Sequence, residues 1–202
     1  GVLAITTNQG RVLLVEADTG TVLASRVIGS NVMISDLCWT PDGARLTVST
    51  RDGRVLVLDS EDLSVTREFQ VSPTQIRSLA IDRSGSMVYA VGDMGQAIRI
   101  NIKNGVVHRS DRLSEHSLFA VAAAPRNDLL FVGTRNAMII VVDAQTLDEL
   151  GTFGTGGAVL DLRCAEDAHT LVVSAIDQAV EVWDLDALAR TLTGMRVSWG
   201  NP

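Results

Sequence analysis

The stretch ISDLCWTPDGARLTVSTRDGRVLVLDSEDLSVTREF, residues 34–69, holds four short runs rich in apolar residues, parted by turn signals such as PDG at Pro41 and RDG at Arg51. It then recurs. Its echoes are RSLAIDRSGSMVYAVGDMGQAIRINIKNGVVHRS from Arg77, FAVAAAPRNDLLFVGTRNAMIIVVDAQTLDELGTF from Phe119 and LDLRCAEDAHTLVVSAIDQAVEVWDLDALARTL from Leu160. The residue closing the third run steps from Asp59 to Asn101, Asp143 and Asp184, intervals of 42, 42 and 41 residues. The turn residue Gly43 steps likewise to Gly85, Asn127 and Ala168. VLAITTNQGRVLLVEADTGTVLASRV, residues 2–27, repeats runs two to four only, with Glu16 in the place of Asp59.

Each unit reads as four short strands. The second runs, such as MVYAV from Met87 and LLFVG from Leu129, are almost continuously apolar, as strands are when both faces are buried. Third runs alternate, and fourth runs such as SVTREF are mixed, so hydrophobicity falls from the inner strands outward. Gly in the turns supplies positive φ, while Asp and Asn bond their own backbone two residues on. Four strands per unit at this spacing, with no helical pattern before residue 184, predict an all-β fold, a β-propeller of four-stranded antiparallel blades. The expected division is a partial blade over 1–31, blades over 32–73, 74–115 and 116–156, and a last blade with a tail over 157–202. That makes about 4.8 blades, part of a larger propeller. The alternative is that MRVSW from Met195 supplies the missing first strand and closes a ring of five.

The repeats resemble the WD-repeat β-propeller family along essentially the whole chain, most clearly in PDGARLTVSTRDGRVLVLD and in VSAIDQAVEVWDLD, whose Trp183 and Asp184 are the naming dipeptide. Quinoprotein-like propellers, whose repeats also read like VLLVEADTGTVLA, are the competing subfamily. The resemblance implies, in each blade, a bonded set of His, Ser or Thr, Asp and Trp. The last blade offers Ser174, Asp177 and Trp183 without the His. The blade from His116 has Gly133 and Val141 instead, and the first full blade has Ser49 and Asp52 with Leu58. No blade completes the set, so each must depend more on apolar packing.

Hydrophobic residues make up 46% of the 202 and the net charge is −7, which fits a chain with a substantial core and argues against a nucleic-acid or anionic-lipid surface. No run is long enough to span a membrane. Gly1 opens in mid-pattern, without a signal peptide, so the chain reads as an excerpt, and an intracellular, cytoplasmic setting is expected. Cys38 and Cys164 are too few and too separated for a disulfide framework and read as buried thiols. His108, His116 and His169 fall in different blades and form no metal or nucleophile set; His116 reads as a donor to a neighbouring strand. The DTG at Asp18 is a hairpin turn before it is a protease triplet, and GTFGTGG at Gly151–Gly157 is an inter-blade connection without the Lys of a phosphate loop. Asp52, Asp93 and Asp177 read as caps of their own turns. After Asp184, the leucines Leu185, Leu188 and Leu192 fit a short helix ending at Gly194, or else a fourth strand LARTL followed by MRVSW.

No catalytic constellation, cofactor or metal site is expected. The expected role is that of a non-catalytic interaction or scaffold module that binds a protein, or another domain of its own chain. Residues at the start of the first strands, Asp36, Arg77, Phe119 and Leu160, and the loop residues Arg51 and Arg135 share the expected binding face, with Asp36, Arg51, Arg77, Phe119 and Arg135 as the candidate contacts. An enzyme with its site in the central channel, or an architectural subunit of a large assembly, are the other readings.

Overall fold

A computed structural model describes residues 1–29, 31–125, 128–166, 169–176 and 180–193. The first sheet has three strands, β1 (Val2–Thr6), β2 (Arg11–Glu16) and β3 (Val22–Val27). Three four-stranded sheets follow: β4 (Ile34–Trp39) to β7 (Val65–Gln70) around β5 (Arg45–Thr50) and β6 (Arg54–Asp59); β8 (Ile76–Ile81), β9 (Met87–Gly92), β10 (Ala97–Asn101) and β11 (Val107–Arg109); and β12 (Leu118–Ala123), β13 (Leu129–Thr134), β14 (Met138–Asp143) and β15 (Glu149–Gly154). The last sheet contains β16 (Val159–Cys164), β17 (Thr170–Ala175) and β18 (Glu181–Asp184), from which the chain enters helix α1 (Leu185–Thr193). Every sheet is an antiparallel meander, the arrangement of a propeller blade.

Packing explains the apolar second strands. Consecutive side chains point to opposite faces, and in the middle sheets both faces meet a neighbour. Val88 and Ala90 of β9 pack back onto Val55 and Val57 of the preceding sheet, while Tyr89 and Val91 pack forward onto Val121, Leu130 and Val132. Phe131 and Val141 face forward in turn, onto Leu162, Leu171 and Val173. The core is therefore a set of layers, each between two blades, with no single centre. The first and last sheets lack a neighbour on one side, and nearly all the exposed large hydrophobic residues fall there: Val2, Leu3, Ile5, Val22, Leu23 and Val27 in the first, and Leu160, Ile176, Val180 and Val182 in or beside the last.

The 42-residue marker has a hydrogen-bonding cause. Asp59 accepts the Glu61 N–H at 2.8 Å, Asn101 the Lys103 N–H at 2.9 Å and Asp143 the Gln145 N–H at 2.8 Å, each closing the turn into the outer strand. Asp184 accepts from Asp186 and Ala187 in the same manner, but there the chain continues as α1. This acceptor serves turn and helix N-terminus alike. Four residues after the marker the backbone is left-handed, with Gly20 and Gly105 in two turns and the buried Leu63 (φ 59°) and Leu147 (φ 67°) in two others. Burial of those leucines offsets a strain of about 1–2 kcal/mol.

Three expectations sharpen. The DTG at Asp18 is the hairpin between β2 and β3. GTFGTGG is only partly a connection, because β15 runs to Gly154 and takes in its first half. Of the two readings of the C-terminal segment, the helix is the one adopted, and neither it nor any other helix among the described residues is long and apolar enough to cross a membrane. MRVSW, Gly194, Asn127, Ala168 and Asp177 lie outside the described residues.

Glycines between second and third strands wedge under the loop that leads to the next blade. Gly53 (φ +85°) has the carbonyl oxygen of Ser72 only 2.0 Å from where a Cβ would stand, whereas Gly43 (φ +69°) has open space around it. Gly43→Ala is expected to cost about 1–2 kcal/mol of stability through backbone strain alone. Gly53→Ala adds a backbone clash and is expected to cost upwards of about 3 kcal/mol in urea unfolding; equal effects would show that the loop yields.

Candidate functional site

Each first strand carries one irregularity in its pairing with the second. The register shifts between Ile34 and Asp36, Ile76 and Ser78, Leu118 and Ala120, and Val159 and Asp161, which makes Ser35, Arg77, Phe119 and Leu160 the bulged residues. A bulge turns a side chain out of the alternation. Four successive blades thus present one residue each at the same level, beside the loops that join one blade to the next. Asp36 does not belong with them: it is equivalent to Ser78, one position on, and a single step in a strand changes the face.

That next position ties the blades together. The Asp36 carboxylate accepts the N–H of its own Leu37 and, from the following blade, that of Leu79, both at 2.8 Å. Ser78 accepts the N–H of Val121 one blade further, at 3.3 Å. Ala120 has nothing to offer, and Asp161 caps its own Leu162 N–H at 2.9 Å instead. Leu79, Val121 and Leu162 are fully buried, so an unmet N–H at any of them would be costly. Burial pushes the Asp36 carboxyl above its usual range despite these two bonds. Asp36 is a strut of the scaffold.

Arg77 and Phe119, from adjacent blades, meet directly. The guanidinium carbon of Arg77 lies 4.4 Å from the Phe119 ring centroid, and Nε donates to Asp93 at 2.5 Å. Asp93 therefore does not cap its own turn; it orients an arginine. Asp52 does brace its turn, through the Thr50 hydroxyl and the Arg54 guanidinium, the latter ion pair at 3.0 Å. Arg51 stands exposed on that turn, and Arg135 on the equivalent turn after β13. Leu118 pairs with Thr134, which sets Arg135 beside the entry to β12 and next to His116. His116, Arg135 and Asn136 line a cleft of about 360 Å³. Among the described residues, the expected bond from His116 to a neighbouring strand is not made: the residue is exposed, and its backbone N–H donates to Ser114 Oγ at 3.0 Å.

The bonded set implied by the family resemblance is dispersed. Ser49 is buried with its hydroxyl unpaired among the described residues. Trp183 donates to Glu181 at 2.9 Å and packs on Phe153, with ring centroids 4.9 Å apart. Gly133 replaces a Ser because a Cβ there would stand 2.3 Å from Val159 of the next blade. Cys38 and Cys164 are free and half-buried, less enclosed than expected, and burial pushes both thiols up to about 12. No group of three or more potential metal ligands occurs among the described residues.

At the opposite end of the inner strands, the turns of four blades enclose a cavity of about 590 Å³, with Pro41, Asp82, Arg83, Pro125 and Glu166 in its lining. Sequence reading passed it over because each contributor is an ordinary turn residue. Ser35 and Asn136 were also missed, and Asp93 was given the role of a turn cap: the bulge that aligns Ser35 with Arg77 leaves no mark on a periodic pattern.

The family model for the WD40 domain of anaphase-promoting complex subunit 4 matches residues 1–83. COMPASS component SWD3 of Saccharomyces cerevisiae is 28% identical over 196 residues, covering 90% of this chain and 60% of that protein. The β-propeller domain of Cps50 (Swd1) from Myceliophteria thermophila superimposes with a TM-score of 0.79 at 20% identity, over 91% of this chain and 62% of that one. The chain thus spans about three fifths of the length of either relative.

Two measurements test the site geometry. A double-mutant cycle of Arg77→Gln and Phe119→Leu in urea is expected to give a coupling of about 0.5–1 kcal/mol, and none if the ring and the cation do not meet in solution. Because burial raises the Asp36 pKa in the fold above 3.8, its contribution to stability is fullest below that pH and declines as pH climbs through the raised value. Asp36→Asn is expected to flatten that part of the stability profile; an unchanged slope would place the carboxylate in water.

Proposed function

We propose that this chain, a β-propeller of the WD-repeat family, is a non-catalytic docking platform that holds a protein partner, or another domain of its own polypeptide, against the face carrying Arg51, Arg77, Phe119 and Arg135. The observation that carries the reading is the row of bulge residues, which gathers an arginine and an aromatic from neighbouring blades at one level. Arg and aromatic side chains dominate binding energy where they are preorganised and partly shielded. The side chain of Arg77 is 29% exposed, held at Nε and over one face yet open to a partner.

The kinship points the same way. SWD3 is named as a component of COMPASS, and a subunit of an assembly is what a rigid disc with loop-lined faces suits best. A catalytic channel finds less support. Its inner strands bring carboxylates from two blades, Asp36 and Asp161, with Ser78 and Ala120 between them, and Asp36 is spent on backbone N–H groups. The partner is a protein; neither nucleic acid nor membrane suits the acidic balance. An intracellular setting goes with this reading.

Partner capture from lysate tests the assignment. Arg51→Glu and Arg135→Glu, both on exposed turns, are expected to abolish capture by the purified chain, while Arg83→Glu at the opposite end of the channel leaves it intact. Loss with Arg83→Glu alone would move the docking face to the other end.

A further inference from the structure

We propose that the docking face takes a carboxylate side chain from an acidic segment of its partner, gripped by the free edge of Arg77 and by Arg135 with His116 in the adjoining cleft. This deepens the docking reading and rests on it.

Arg77 is fixed on two sides. Nε is held by Asp93 at 2.5 Å and one face of the guanidinium lies on Phe119, while its terminal amino groups have no acceptor among the described residues. A guanidinium edge offers two parallel donors, a fork that matches a carboxylate. Since the plane is already oriented, little side-chain freedom is lost on binding. Other arginines are satisfied within the chain, as where Arg54 lies between Asp52 and Glu68 and Arg109 donates to the Val71 carbonyl at 2.8 Å.

The cleft of His116, Arg135 and Asn136 has donors and, among the described residues, no carboxylate in its lining. Among the described residues, the side chains of Arg135 and Asn136 make no hydrogen bond or ion pair. Two carboxylates on the flanking loops are already committed, Asp93 to Arg77 and Glu115 to Arg112 at 3.1 Å, while Asp111 stands exposed on the second of these loops. On a chain of net charge −7, this patch is a local reversal of sign, which draws an acidic ligand towards it while the acidic surface elsewhere repels that ligand. Leu160, exposed in the next bulge position, adds an apolar contact for the neighbouring residue of the segment.

The test uses the whole 202-residue chain and three capped peptides: Glu-Leu-Glu-Leu-Glu-Leu, the same peptide with Gln for Glu, and one with phosphoserine for Glu. Amide chemical shifts are followed during titration. The Glu peptide is expected to shift the signals of Arg77, His116, Phe119 and Arg135, to bind about tenfold more tightly than the Gln peptide, and to weaken as salt rises. Arg135→Gln, at an exposed position, is expected to weaken it about fivefold, with partial recovery in Arg135→Lys. Equal binding of the Gln peptide, binding of the phosphoserine peptide alone, or indifference to Arg135→Gln would each overturn the proposal. Partner capture is run in parallel. If Arg135→Glu abolishes capture while the Glu peptide does not bind here, docking stands and the carboxylate anchor falls; if the reversal spares capture, both fall.

Discussion

The inner strands of adjacent blades must approach closely without sharing a ladder of hydrogen bonds, and the rest of the structure follows from how they do it. One backbone N–H per inner strand is buried against the preceding blade and needs an acceptor from it. Asp36 supplies one for Leu79 and Ser78 supplies one for Val121. Where Ala120 breaks the series, Asp161 turns back on its own Leu162, so the N–H is still met. The bulge just before this position lets one strand point one side chain at its neighbour and the previous one at the channel mouth.

The candidate face is a by-product of that constraint. Were β8 and β12 regular, Arg77 and Phe119 would follow the ordinary alternation; the bulge brings them to the same level on neighbouring blades, and the short inter-blade distance brings them into contact. The inter-blade wedges work at the same end of the fold. Gly53 sits beneath the Ser72 carbonyl and Gly95 beneath that of Ser114, so the loops flanking the mouth are held from below by backbone contact. A face built in this way is stiff.

The departures from the WD-repeat pattern have local causes. Gly133 is small because Val159 fills the space a side chain would need, and Trp183 bonds Glu181 beside it in place of a distant serine. With the bonded set dispersed, the blades are held by the layered apolar contacts between sheets. Those contacts are one-sided in the first and last sheets, whose outer faces carry Val22, Leu23, Val180 and Val182 in water.

Much of the fold was legible in the chain. The spacing of Asp59, Asn101, Asp143 and Asp184 set the blade period, because a side-chain acceptor at a turn is a local device that a sequence displays directly. The continuous apolar runs of the second strands announced burial on both faces for the same reason. The site was only half legible. Arg51, Arg77, Phe119 and Arg135 could be named as candidates from the repeat, and Asp36 was placed with them by counting, but one residue of bulge turns its carboxylate to the backbone N–H groups of Leu37 and Leu79. Ser35 and Asn136 stayed hidden, and the contact of Asp93 with Arg77 did too. By itself the sequence determined the repeat, the strands and their turns, since these depend on neighbours along the chain. Only the tertiary structure decided which side chains share the channel mouth, because a bulge and the approach of adjacent blades join residues about 40 positions apart through space, and no periodicity records that.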